Sequence, residues 1–372
     1  MVAQVVAGVS LAIWVYLAVG HGRFWSPPRL SQLSPPGTTL KSWPSVAAVV
    51  PARDEAEVLP HTLPTLVGQD YPGRFRVVVV DDESGDATAK EAARLGADVV
   101  ASSGPPPGWA GKVAAMALGV EAAGAPEFIL FTDADIAFPS DGLTRLVAAA
   151  VTGRRDLVSQ MVRLRTESLW ERVLVPAFVY FFAQLYPFAR VNRPGRTAAA
   201  AGGCMLVRRE ALERAGGLAG IRSARIDDVA LAKLLKARGA VWLGVAQDTV
   251  SVRPYPRLAD LWQMVARSAY IQLRHNPALL LGTVVGMLLM YVVPPAAAVA
   301  GLLMRDALLA ALGLVTWTVI TATYVPLLRF QQVAPWSAAI LPAVAILYLG
   351  MTIDSARRHY TGRGGLWKGR VE

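Results

Sequence analysis

Apolar positions fall into two textures along this chain. Uncharged runs occupy the two ends: Val2 to Gly20, Pro277 to Met304, Ala307 to Leu328 and Phe330 to Ile353. Each is about long enough to cross a bilayer core as a helix. Pro294-Pro295 inside the second run predicts a kink or break there, because proline lacks the N–H and crowds the preceding turn. Between Lys41 and Asn276 charges return, and short apolar runs alternate with helical patterns. SVAAVVP (45–51), FRVVVV (75–80), 97–101 and EFILFT (127–132) predict buried strands, with helix-like stretches at Glu55–Gln69, Asp86–Leu95 and Lys112–Ala123. Continuous apolar strands alternating with helices predict an α/β fold, a mostly parallel sheet covered on both faces. Asp86 stands where an N-cap belongs.

Two further stretches carry membrane-related patterns. Arg257–Asn276 has apolar residues at 258, 261, 262, 265, 269 and 273, a single stripe that predicts one amphipathic helix in the headgroup plane. Val173–Ala189 is uncharged and aromatic, yet short for a span and interrupted by Pro176 and Pro187. Two readings stand for it: buried core, or a path for a lipid at the membrane surface. The expected organisation is therefore an N-terminal transmembrane anchor (1–22), a cytoplasmic α/β domain (41–256), an interfacial helix (257–276), about three membrane segments (277–353) and a basic tail (354–372).

Composition narrows the class. The chain has 372 residues, 54% hydrophobic and only 17% charged, against about 25% charged in a typical soluble domain. That disfavours an ordinary soluble enzyme and excludes a disordered chain. The net charge of +10 in so apolar a sequence points to an anionic lipid surface rather than nucleic acid. One cysteine, Cys204, cannot form an intramolecular disulfide framework and fits a reducing compartment. The first run has no basic residue before it, while His21, Arg23 and Arg29 follow, which predicts a retained anchor with its downstream side cytoplasmic. Arg357, Arg358, Arg363, Lys368 and Arg370 also ask for a cytoplasmic tail. Three full C-terminal crossings conflict with that, so one segment, the Pro294-Pro295 one, is expected to be re-entrant or interfacial.

Polar residues cluster where predicted strands end, the edge at which open α/β sheets bind ligands. Arg53-Asp54-Glu55 follows the first strand, Asp81-Asp82 the second, and Asp133-Ala134-Asp135 the fourth. Two carboxylates two residues apart at a strand end suit Mg²⁺ or Mn²⁺ with phosphates completing the shell; an Asx turn is the plainer reading. Asp81-Asp82 suits either a nucleobase or ribose contact or simple turn chemistry. Lys112 opens a helix, where a cation is misplaced unless an anion joins it. Asp227-Asp228 precedes a helix pattern and serves either as first-turn charge or as a general base.

In order, PARDE, VVVVDDES, GWAGK, FTDAD, GGCMLVRREAL and IDDVALAKLL resemble the family 2 glycosyltransferases of GT-A fold, over most of residues 45 to 275. With the membrane runs and the closing GRGGLWKGR, the chain looks most like the hopene-associated glycosyltransferases of hopanoid-producing bacteria. The resemblance implies a nucleotide-diphosphate sugar donor, a divalent metal, inversion at the anomeric carbon, a lipid acceptor and an enzyme of the bacterial inner membrane. It places Pro51, Arg53, Glu55, Asp81, Asp82, Lys112, Asp133, Gly203 and Arg267 at the nucleotide sugar, Asp133 and Asp135 at the metal, and Asp228, with Asp227 beside it, as base. Asp227 stands where the family has Glu. Processive members carry Gln-x-x-Arg-Trp; here Gln263 and Arg267 are one residue wider apart and no Trp follows, which favours single transfer over polymer synthesis. A non-catalytic membrane protein of the same fold, and a nucleotidyltransferase, are the other classes; the retained carboxylates and the acidic PARDEAE loop disfavour them.

Overall fold

The computed structural model describes residues 1–35, 37–362, 366–367 and 370–371. The chain divides into a sheet unit, made of Pro28–Arg165 and Phe188–Pro254, and a helical unit, made of Met1–Pro27, Thr166–Pro187 and Tyr255 onward. The stretch expected as one continuous middle domain is thus interrupted at Thr166–Pro187, which packs with the terminal helices.

The sheet unit is built on strands β1 (Val46–Ala52), β2 (Phe75–Asp81), β3 (Asp98–Ala101), β4 (Phe128–Phe131), β5 (Ile136–Ala137), β6 (Leu157–Arg163), β7 (Met205–Arg208) and β8 (Val241–Ser251), in the order β3-β2-β1-β4-β7-β6-β8-β5. The four expected strands form the parallel half; β7 runs antiparallel to β4 and β6, and β5 antiparallel to β8. Val46 to Val50 and Val77 to Val80 are buried throughout, as a sheet covered on both faces requires. Pro51 lies past the last β4 partner, since Val49 pairs with Phe131, so its missing N–H costs no ladder bond. The helix Gly111–Ala122 approaches the sheet closely at Gly119, where a Cβ would fall 2.3 Å from Val49 Cγ1.

The expected helices are present, two of them shorter. Leu59–Val67 replaces 55–69, and Thr88–Arg94 replaces 86–95. The N-cap is Ala87 rather than Asp86, which lies one residue earlier and accepts from the N–H of Thr88 at 2.9 Å and from Ala56 N–H at 3.1 Å. Those bonds hold its carboxyl below its usual range, outweighing the opposing effect of burial.

Among the described residues five helices are long and apolar enough to cross a membrane: Val2–Gly20, Leu169–Val191, Pro277–Met304, Ala307–Phe330 and Pro335–Tyr360. The second corrects the expectation of a segment broken at Pro176, which sits inside the helix Leu169–Leu185. A capping box starts that helix: Glu171 N–H donates to Ser168 Oγ, and Ser168 N–H to Glu171 Oε2 at 2.8 Å. Pro294-Pro295 does not break its helix either. A π-helical turn, Leu288–Val292, absorbs the mismatch. Pro294 cannot donate to the carbonyl of Met290, and the indole N–H of the buried Trp14 does so at 2.8 Å. The last helix starts later than expected and runs on to Tyr360, because Asp354 pairs with Arg358 at 2.8 Å and accepts from Trp262 Nε1 at 2.9 Å. The single interfacial helix expected over 257–276 is two short ones, Leu258–Ala266 and Ala269–Gln272. They part at Ser268, whose N–H turns back to Val265 O at 3.1 Å. Arg363 and Lys368 of the basic tail lie outside the described residues.

Candidate active site

The carboxyl-terminal edge of the parallel strands collects the polar residues. At the end of β1, Arg53 Nη1 donates to the carbonyl of Asp82 at 2.7 Å and lies 3.8 Å from its Oδ2. Asp82 is 1% exposed, and its N–H donates to Ala52 O at 2.8 Å. Asp81 ends β2, with its carbonyl accepting from Ser102 N–H at 2.9 Å. Asp54 and Glu83 hold left-handed backbone (φ 51° and 54°) in the loops after β1 and β2. Such strain in non-glycine residues concentrates at functional sites. Asp54 Oδ1 ties these two loops together by accepting from Gly85 N–H at 2.8 Å.

A second group joins the ends of β1, β4 and β8. Arg253 Nη2 donates to Glu55 Oε1 at 2.6 Å, and its Nε lies 3.4 Å from Asp135 Oδ2. Ser251 Oγ donates to that same oxygen at 2.5 Å. Glu55, Asp135 and Ser251 are all buried. Burial pushes the Asp135 carboxyl up, Arg253 and Ser251 oppose this, and the neighbouring Asp133 and Glu55 add to the rise.

The third group joins β4 to two helices. Lys112, on the first turn of Gly111–Ala122, lies 2.8 Å from Asp133 Oδ1 and 3.3 Å from Asp227 Oδ2. Burial would lower its pKa; the carboxylates of Asp133, Asp227 and Asp228 instead hold the ammonium firmly protonated. Asp228 accepts from its neighbour's Val229 N–H at 2.7 Å and from Gly202 N–H at 3.0 Å. Burial, reinforced by Asp227, pushes its carboxyl up to about 7, against the pull of Lys112 and the two N–H groups. Glycine at 202 keeps this corner open: a Cβ there would meet Lys112 Nζ at 3.3 Å and Asp228 Oδ2 at 3.6 Å. Gly203 carries a carbonyl that accepts from Thr132 Oγ1 at 2.9 Å.

The structure therefore brings Arg53 to Asp82, Glu55 to Asp135, and Lys112 to Asp133, Asp227 and Asp228, all within the sheet unit. Arg267 is different. It is the exposed C-cap of Leu258–Ala266 and belongs to the helical unit. Ser251 and Arg253 were not anticipated from sequence. The available signal was another apolar run, 241–246, followed by polar residues at a strand end.

Asp133 and Asp135 suit a hard divalent cation: both are oxygen donors, and beside burial, the main cause of the rise at Asp135, the repulsion from Asp133 and Glu55 is what a cation relieves. Among the described residues no three His, Cys, Asp or Glu side chains gather into a metal site. Two carboxylates hold Mg²⁺ or Mn²⁺ when phosphates from a ligand supply further oxygens.

This mixed sheet with acidic strand ends is the GT-A glycosyltransferase fold. A mannosyltransferase from Pyrobaculum calidifontis, solved with GDP-Man and Mn²⁺, superposes with a TM-score of 0.58 at 20% identity, covering 94% of this chain and 99% of that one. Residues 47–216 match the family Glycosyl transferase family 2. Uncharacterized glycosyltransferases of Mycobacterium tuberculosis and Mycobacterium bovis are each 39% identical over 121 residues, 31% of this chain and 50% of the relative. The chain thus spans about half the length of these relatives.

Proposed function

We propose that the protein is a membrane-bound inverting glycosyltransferase that moves a sugar from a nucleotide-diphosphate donor to a lipid hydroxyl at the cytoplasmic face of the bacterial inner membrane. The observation that carries this reading is Lys112, whose ammonium meets Asp133 of the strand-end pair and Asp227 beside the base. One cation thereby brings the donor side and the acceptor side of a transfer reaction together. The five apolar helices support a membrane-embedded acceptor. The hopanoid class is the acceptor that the resemblance of the motifs names.

Arg53, Glu55 and Asp82 bind and orient the nucleotide. Asp133 and Asp135 hold Mg²⁺ or Mn²⁺, which when bound neutralises the charge of the diphosphate leaving group. Asp228 accepts the proton of the attacking hydroxyl, and a carboxyl pushed up to about 7 is matched to that task near neutral pH. Lys112 adds fixed positive charge beside the developing diphosphate charge, and preorganised charge of this kind favours the transition state. The acceptor oxygen attacks the anomeric carbon as the bond to the diphosphate breaks, so configuration inverts.

The test is Asp228→Asn in membranes supplied with labelled nucleotide sugars. Transfer to lipid should fall by about 100-fold or more, as loss of a general base does, while donor binding persists. Undiminished turnover removes Asp228 as base.

A further inference from the structure

We infer that Ser251 and Arg253 are a positioning pair that fixes the orientation of the Asp135 carboxylate, a group that would hold the cation. Within the proposed donor site, the pair also couples that carboxylate to the nucleotide-side loop through Glu55. This rests on the reading that Asp133 and Asp135 hold a divalent metal beside the donor diphosphate.

The geometry is asymmetric. Ser251 Oγ donates to Asp135 Oδ2 at 2.5 Å, and Arg253 Nε lies 3.4 Å from the same oxygen. Both contacts come from the end of β8, which reaches the site because β5, directly after Asp135, pairs with it: Ile136 with Ser251 and Ala137 with Val250. The backbone repeats the link, since Val252 N–H donates to Asp135 O at 2.9 Å. A carboxylate whose rotation is set by two donors on one oxygen presents the other oxygen in a fixed direction. Partners of this kind orient metal ligands, and their loss typically costs about 10–100-fold in metal affinity.

Arg253 has a second task. Its Nη2 donates to Glu55 Oε1 at 2.6 Å. The planar guanidinium holds two buried carboxylates from different strand ends in one fork, which an ammonium does less well. It also keeps three neighbouring acids, Glu55, Asp133 and Asp135, from repelling one another before a cation arrives. Arg253 is therefore a link between nucleotide seating and metal seating, not a group that touches the sugar.

The experiment measures binding of UDP and of GDP to the detergent-solubilised full chain, with and without MnCl2, for wild type, Arg253→Met, Arg253→Lys and Ser251→Ala. We expect Arg253→Met to lose about 10–100-fold of the Mn²⁺-dependent affinity, with a smaller loss of metal-free affinity through the released Glu55. Arg253→Lys should recover part of it. Ser251→Ala, which keeps every charge, should lose less in the same direction, and it decides the matter if Arg253→Met does not fold. Equal weakening with and without Mn²⁺, or unchanged Mn²⁺-dependent binding in Arg253→Met and Ser251→Ala, overturns the positioning role alone. A wild-type chain whose binding of both nucleotides ignores Mn²⁺ overturns the metal reading beneath it.

Discussion

The ammonium of Lys112 lies 2.8 Å from Oδ1 of Asp133, across the gap between a helix start and a strand end. A lysine at a helix N-terminus opposes the helix dipole. Here the opposition is offset by three carboxylates, Asp133, Asp227 and Asp228, which together hold the proton on. That cation keeps Asp227 and Asp228 tolerable side by side in a half-buried corner.

Removing it should be costly in a specific way. Lys112→Met leaves the acids without their counter-charge, so Asp228 should titrate at higher pH than its value of about 7. The acid limb of the pH–rate profile should move upward, and transfer at neutral pH should fall by about 100-fold or more. A profile that stays in place at reduced height would show that Lys112 contacts the donor without tuning Asp228.

The pH dependence of the wild type follows from the same group. Asp228 acts as base only when ionised, so kcat/KM should climb with pH and level off above about 7. Its raised pKa also has a sign for stability. The folded state binds the proton more tightly than the unfolded chain, so this group's contribution is full below pH about 4 and is lost as pH rises through about 7. Asp228→Asn should abolish that pH-dependent loss, read as the thermal midpoint between acid and neutral buffer.

Asp135→Ala removes one of the two strand-end carboxylates. Mn²⁺ titration of nucleotide binding should weaken by about 10-fold or more, with KM for the donor rising. An unaltered Mn²⁺ titration would exclude Asp135 as a ligand.

Gly119→Ala tests packing rather than chemistry. The added Cβ would fall 2.3 Å from Val49 Cγ1 and 3.0 Å from Val80 Cγ2. Overpacking of this kind costs about 1–3 kcal/mol, which exceeds or cancels the roughly 1 kcal/mol gained in helix propensity. A lower thermal midpoint with donor affinity retained is the expected result; a higher midpoint would show that the helix moves away freely.

The sequence by itself determined what depends on local pattern. Continuous apolar runs gave the strands β1, β2 and β4, because a strand buried on both faces has no polar side to alternate, whereas the edge strand β3, expected as buried, is exposed or half-buried along its length. Acidic residues at those strand ends marked the edge where chemistry gathers. The apolar terminal runs marked helices long enough for a bilayer. Tertiary structure decided what depends on partners far along the chain. β6 and β7 are mixed or short runs that declare themselves only through pairing. The helix Leu169–Leu185 carries an internal proline that local propensity counts as a break, yet it continues with half of its apolar window buried. The Pro294 helix survives because Trp14, 276 residues away, takes the carbonyl that proline leaves open. Arg253 meets Glu55 across 198 residues. A hydrogen bond between distant segments leaves no period in the sequence, and only the folded chain reveals which carboxylate each arginine and lysine holds.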